Sequence, residues 1–130
     1  MTNTKIELGA RGEALAVKHL KRLGYKIVEQ NFRVRAGEID IIGEQDGTLV
    51  FIEVKTRTDT RFGPPFESIT AKKKKHLSIV ALEYMSRHDC HDRPARFDVV
   101  SVQFDTNKPK KASDARIEII KNAFDLSYAT

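Results

Sequence analysis

The chain has 130 residues, 40% of them hydrophobic and 32% charged, with a formal net charge of +5; this suits one domain around one core and permits, without requiring, an anionic partner such as nucleic acid. No apolar run approaches the ~18 residues that span a bilayer, and the opening "MTNTKIELGARGE" lacks a signal-peptide h-region. A single cysteine, Cys90, excludes an internal disulfide framework and suits a reducing compartment, so the expectation is a cytoplasmic protein without a membrane partner.

In chain order, about Lys5 to Leu23 reads as a helix ended by Gly24. "YKIVEQNFRV" (Tyr25 to Val34) reads as a strand, and "EIDIIGE" and "TLVFIEVKTR" as two more strands around Asp46-Gly47, a strong hairpin signal. "TDTRFGPPFES" (Thr58 to Ser68) carries Gly63, Pro64 and Pro65 and reads as a loop. Its Arg61–Phe66 portion fits a substrate-gating loop or a dimer contact equally well. "ITAKKKKHLSIVALEYMSRH" predicts a second helix starting near Thr70. "ARFDVVSVQF" reads as a strand with period-two alternation, "DTNKPKKASD" as a basic loop and "ARIEIIKNAF" as a last strand, with a loosely held tail from about residue 122. The order α-β-β-β-α-β, followed by β, predicts one α/β domain over 1–130, a central mixed sheet flanked by helices.

The hairpin carries unexpected charge. With Asp46-Gly47 as a two-residue turn, Gln45 opposes Thr48, Ile42 opposes Phe51, Asp40 opposes Glu53 and Glu38 opposes Lys55. Alternation then puts Glu38, Asp40, Ile42, Phe51, Glu53 and Lys55 on one side, and Ile39, Ile41, Val50, Ile52 and Val54 on the other, wholly apolar side. Like charges placed opposite each other repel. A shared proton, the neighbouring lysine or a bound cation would each relieve the pair; a solvated face with a Glu38–Lys55 ion pair is the plainer reading.

The helices add two more charges. On a wheel at ~100° per residue, Ala10, Ala14, Ala16, Val17, Leu20 and Leu23 form an apolar arc with Glu13 near its middle, and Leu15 falls outside it. A carboxylate there needs a partner. In the second helix Leu77, Val80, Ala81, Tyr84 and Met85 define the inner face. Lys73 projects with that face and Lys74 lies at its edge, while Lys72 and Lys75 read as solvated.

Asp40, then Glu53-Val54-Lys55, resembles the D…ExK signature of the restriction-endonuclease-like superfamily, with Glu13 as the upstream helical acid and Lys73 as the downstream helical lysine. Asp40 follows Ile39, where the superfamily's common form has proline. Across about Gly9 to Val102, the stretches "GARGEALAVKHLKRLGYKIVEQNFRVRAGEIDIIG", "LVFIEVKTRTDTRFG" and "RFDVV" are similar to the YraN family of small bacterial proteins, a nuclease-like family more distantly akin to archaeal Holliday-junction resolvases. The resemblance implies metal-assisted phosphodiester hydrolysis, on branched or otherwise structured DNA among other substrates. Asp40, Glu53 and the Val54 carbonyl would hold Mg²⁺ or Mn²⁺. Lys55 would orient water or stabilise developing charge, and Glu13 would assist the metal. Lys73 would contact phosphate. Independently of the resemblance, the forked guanidinium groups of Arg57, Arg11, Arg35 and Arg33 suit phosphate contacts, and the sequence fits scattered surface arginines equally well. Junction cleavage calls for two active sites, so a homodimer belongs to the same expectation.

The rival expectation is a nucleic-acid-binding or scaffold module that keeps the fold without catalysis. "HDCHD" (His88 to Asp92) bunches its ligands too closely for tetrahedral zinc. Asp98 reads as structural or as a support behind the site residues, paired with Arg96 or Arg57. No P-loop, dinucleotide fingerprint or nucleophile elbow is present.

Overall fold

A computed structural model describes residues 4–58, 69–104 and 115–125. The elements are α1 (Thr4–Arg22), β1 (Lys26–Val34), β2 (Gly37–Gln45), β3 (Thr48–Arg57), α2 (Ala71–Arg87), β4 (Ala95–Phe104) and β5 (Ala115–Phe124). The expected order is present, and the strands form one mixed sheet in the order β1-β2-β3-β4-β5. Only the β3–β4 pair is parallel, because α2 carries the chain from one to the other. β5 runs to Phe124, past the point where a loose tail is expected, and the Phe124 ring stacks on Phe97 at 4.4 Å. The Arg61–Phe66 segment, the basic loop over 105–114 and the last five residues lie outside the described residues.

Each element ends where its sequence dictates. The Tyr25 N–H donates to the Leu20 carbonyl at 3.0 Å and the Gly24 N–H to Lys21 at 3.1 Å, which closes α1 in a Schellman motif. Tyr25 and Leu20 are then buried in one cluster. The hairpin turns on Asp46 (φ 50°) and Gly47 (φ 82°), and the two positive φ values match the primed turn that suits the twist of paired strands. Thr70 caps α2, its side chain accepting the Lys73 N–H at 3.1 Å.

The helices cover opposite faces of the sheet. α2 lays Leu77, Val80, Ala81, Tyr84 and Met85 on Phe32, Ile42, Phe51 and Phe97, so its inner face is as expected. α1 lays Ala16 and Leu20 on Ile41, Val50, Ile52, Val100 and Val102. β4 is therefore enclosed on both sides, and six consecutive residues from Phe97 to Val102 are buried. The expected one-sided alternation does not hold, because this strand is central and parallel to its neighbour.

α1 presents a different stripe from the expected arc. Gly12, Ala16 and Leu20 are buried and Leu15 packs against the core, whereas Ala10, Ala14 and Leu23 are exposed. A Cβ at Gly12 would stand far inside contact distance of the Thr56 side chain on β3, so the small-residue line Gly12-Ala16 sets the close approach. Glu13 consequently sits at the edge of the contact stripe, half-buried rather than central. Gly12→Ala is expected to destabilise the fold by about 1–3 kcal/mol through overpacking, measured by urea unfolding. Adding Thr56→Ala, which removes both the hydroxyl and the methyl that crowd that Cβ, should recover part of the loss.

Candidate active site

Three backbone irregularities converge at one end of the α1 side. First, the observed hairpin register, Gln45↔Thr48 through Ile41↔Ile52, is the one the turn predicts, but regular β2–β3 pairing stops at Ile41↔Ile52. Asp40 and Glu53 are therefore not a cross-strand ladder pair. Instead Asp40 Oδ2 accepts the Val54 N–H at 2.8 Å, so the carboxylate satisfies a main-chain donor on β3. Second, the alternation of β2 breaks at the same point. Ile39 joins the α2-side cluster, while Ile41 joins the α1-side cluster with Val50, Ile52 and the partly buried Val54. The expected single wholly apolar face is thus split, with Asp40 at the break. Third, Asn31 on β1 has φ 54° and stands between the pairs Gln30↔Ile41 and Phe32↔Ile39, beside Asp40. Asparagine is among the few residues that tolerate that region.

A cleft of ≈ 310 Å³ opens here, lined by Gly9 and Glu13 of α1, Asn31 of β1, Glu38 and Asp40 of β2, and Val54 and Thr56 of β3. Asn31 Nδ2 donates to Glu13 Oε1 at 3.0 Å. From the α2 side, Lys73 Nζ approaches Glu53 Oε2 at 3.6 Å. Asp40 and Glu53 nevertheless interact directly through their carboxyl groups. The pair thus bridges the two faces at the point where the strands part.

The electrostatics follow from this crowding. Burial, and then the Asp40 charge, push Glu53 up to about 7, against the pull of Lys73 and Lys55. Burial raises Asp40 as well, against its Val54 hydrogen bond. Glu13 is raised by burial and then by Asp40. Two carboxyl groups in contact resist double ionisation unless positive charge is supplied. Because Glu53 titrates higher when folded than its ordinary 4.5, its contribution to stability is complete below about 4.5 and is lost as pH rises through about 7. In chelator, the thermal midpoint should fall across that window. Glu53→Gln should flatten the fall, and an unchanged slope would show that Glu53 does not titrate there.

The other expected contacts divide. Lys55 acts on Glu53 electrostatically. Arg33 pairs with Glu38 at 3.2 Å, so the Glu38–Lys55 pair of the plainer reading gives way to a β1–β2 pair. Arg11 packs over the Phe104 ring at 5.0 Å. Arg35 is exposed in the β1–β2 turn, and Arg57 ends β3, half-buried, beside Gln103. Asp98 is structural: it is fully buried and accepts from Arg96 Nε at 2.9 Å, the Tyr25 hydroxyl at 2.7 Å and the Asn122 N–H at 2.9 Å. Asn31 and Thr56 were not candidates from sequence; an asparagine inside a strand, where it is disfavoured, was the available signal for the first.

Among the described residues, no three His, Cys, Asp or Glu side chains are grouped closely enough to hold a metal ion. The donor set still suits a hard divalent cation, which takes one or two carboxylates, main-chain oxygen and water. Asp40 and Glu53 provide the two carboxylates, with the electrostatic pressure that such an ion would relieve.

The sequence model described as uncharacterised protein family UPF0102, the YraN family, matches residues 12–102. A UPF0102 protein of Geobacter metallireducens is 46% identical over 121 residues, covering 93% of this chain and 94% of the relative. One from Geotalea uraniireducens is 47% identical over 122 residues, covering 93% and 91%. One from Caldicellulosiruptor saccharolyticus is 46% identical over 120 residues, covering 92% and 98%. With the matched segment running from the glycine that seats α1, through both carboxylates, to the buried end of β4, the chain belongs to the UPF0102 family.

Proposed function

We propose that this protein is a metal-dependent endonuclease that hydrolyses phosphodiester bonds in DNA. The observation that carries the reading is the charge interaction between the Asp40 and Glu53 carboxyls at the break in the β2–β3 ladder, with Glu13 across the cleft and Lys73 beside the pair. Asp40, Glu53 and the Val54 carbonyl would hold Mg²⁺ or Mn²⁺. When bound, that ion supplies Lewis acidity toward a phosphoryl oxygen and a water of lowered pKa. Hydrolysis forms one P–O bond from water oxygen and breaks one P–O bond to the sugar, leaving a phosphate monoester and a hydroxyl. Glu13, lifted above its ordinary carboxylate range by burial and then by Asp40, would assist the ion from across the cleft. Lys55 and Lys73 stabilise negative charge that builds on the phosphate as the bond breaks. Lys73 remains about half exposed, which leaves its long side chain free to follow that charge.

The test is incubation of the chain with duplex, single-stranded and junction DNA in Mg²⁺ or Mn²⁺. Cation-dependent product that disappears with chelator supports the reading. Salt-dependent DNA binding with no product under any of these conditions favours the non-catalytic binding module.

A further inference from the structure

Asn31 lies on an edge strand, between the two registered pairs that flank Asp40, where an ordinary antiparallel strand residue would have φ near −140°. It instead adopts φ 54°, and its amide meets the Glu13 carboxylate at 3.0 Å inside the cleft. Glu13 itself is held by α1, whose distance from the sheet is set by Gly12 against Thr56. The helix fixes where the Glu13 backbone stands, and the Asn31 amide fixes where its carboxylate points. A glutamate has three side-chain torsions, and a single donor at its oxygen selects among their combinations. Phe32 and Val34 pack on the α2 side, so alternation sets the Asn31 side chain toward α1, and asparagine tolerates the left-handed backbone found there.

We infer that Asn31 is a positioning residue that aims the Glu13 carboxylate into the cleft, where it supports cation binding beside Asp40. This rests on the cation-site reading of the same cleft. A carboxylate close to a metal is commonly oriented by hydrogen bonds from residues that do not touch the metal, and losing such a partner lowers affinity about 10–100-fold.

The test is calorimetric titration of the full chain with Mn²⁺ alone. Asn31→Gly keeps the positive φ and removes only the amide, so its affinity is expected to fall about ten-fold with the far-UV spectrum unchanged. Asn31→Asp keeps the size and backbone tolerance but carries no N–H donor, and is expected to lose at least as much. In a Glu13→Ala background, the Asn31→Gly change should have no further effect, because its target is gone. Equal losses in both backgrounds would make Asn31 a merely structural residue and overturn the inference. Wild-type affinity in Asn31→Gly would overturn it while leaving the cation site standing. Absence of Mn²⁺ binding by the wild-type chain would overturn both.

Discussion

On the proposed reading, Asp40→Asn and Glu53→Gln are each expected to lower cation-dependent DNA cleavage by about three orders of magnitude or more, since each would remove a ligand charge from a site that would supply several kcal/mol of transition-state stabilisation. The measurement is initial cleavage rate at saturating Mg²⁺. The loss should come without unfolding. An asparagine oxygen at position 40 still accepts the Val54 N–H, and removing one charge relieves the contact that raises Glu53. Stability is therefore expected to hold or rise slightly in the absence of metal. Opposite changes in activity and stability are the signature of a residue kept for chemistry rather than for the fold. Cleavage unchanged in both variants would show that the carboxyl pair has no part in it.

Asp98→Ala is expected to act in the reverse sense and to cause the largest loss of stability. Asp98 is as buried as any residue in the chain, but its carboxylate has a full set of partners: the Arg96 guanidinium, the Tyr25 hydroxyl and the Asn122 N–H. Arg96 also reaches Gln45 Oε1 at 2.6 Å, so the network ties β4 to β2, β5 and the end of α1. Removing the carboxylate leaves a partly buried guanidinium without its charge partner and an inward N–H without an acceptor, at about 3–5 kcal/mol. That is a large part of the ~5–15 kcal/mol that holds a typical domain together. Urea unfolding would measure it; a loss below about 1 kcal/mol would mean that the network is not a structural tie. The contrast between the two aspartates is informative. Asp98 meets a cation and several donors, whereas Asp40 meets one N–H and another acid.

Both aspartates also do the same local job. Each accepts a backbone N–H where a strand pair loses regular register, Val54 in one case and Asn122 in the other. The sequence shows why Asp46-Gly47 turns the chain and hence why Ile42 faces Phe51. It does not show that the ladder stops at Ile41↔Ile52, because that depends on whether the Val54 N–H is better served by a strand carbonyl or by the Asp40 carboxylate. Alternation alone assumes the carbonyl. The α1 face was misjudged for a related reason. A wheel weights alanine above glycine, so Ala10 and Ala14 pulled the arc away from Gly12, whose lack of a side chain is what allows close contact with Thr56. Glu13 then moved from the centre of a buried face to the rim of a cleft, which suits an acid better. The α2 face was legible because large residues define it: Leu77, Val80, Tyr84 and Met85 repeat at helical spacing and all are buried. Lys73 could be placed for the same reason, and it reaches Glu53. The packing of Arg11 over Phe104 is not legible in the sequence, because which ring lies under an arginine is decided by the tertiary fold.

Crystals soaked in Mn²⁺ and measured for anomalous scattering test whether Asp40 and Glu53 form a cation site. A peak bridging the two carboxylates, absent from Asp40→Asn crystals soaked in the same way, is the predicted result. Wild-type crystals with no peak there at millimolar Mn²⁺, and with Lys73 still against Glu53, would contradict it.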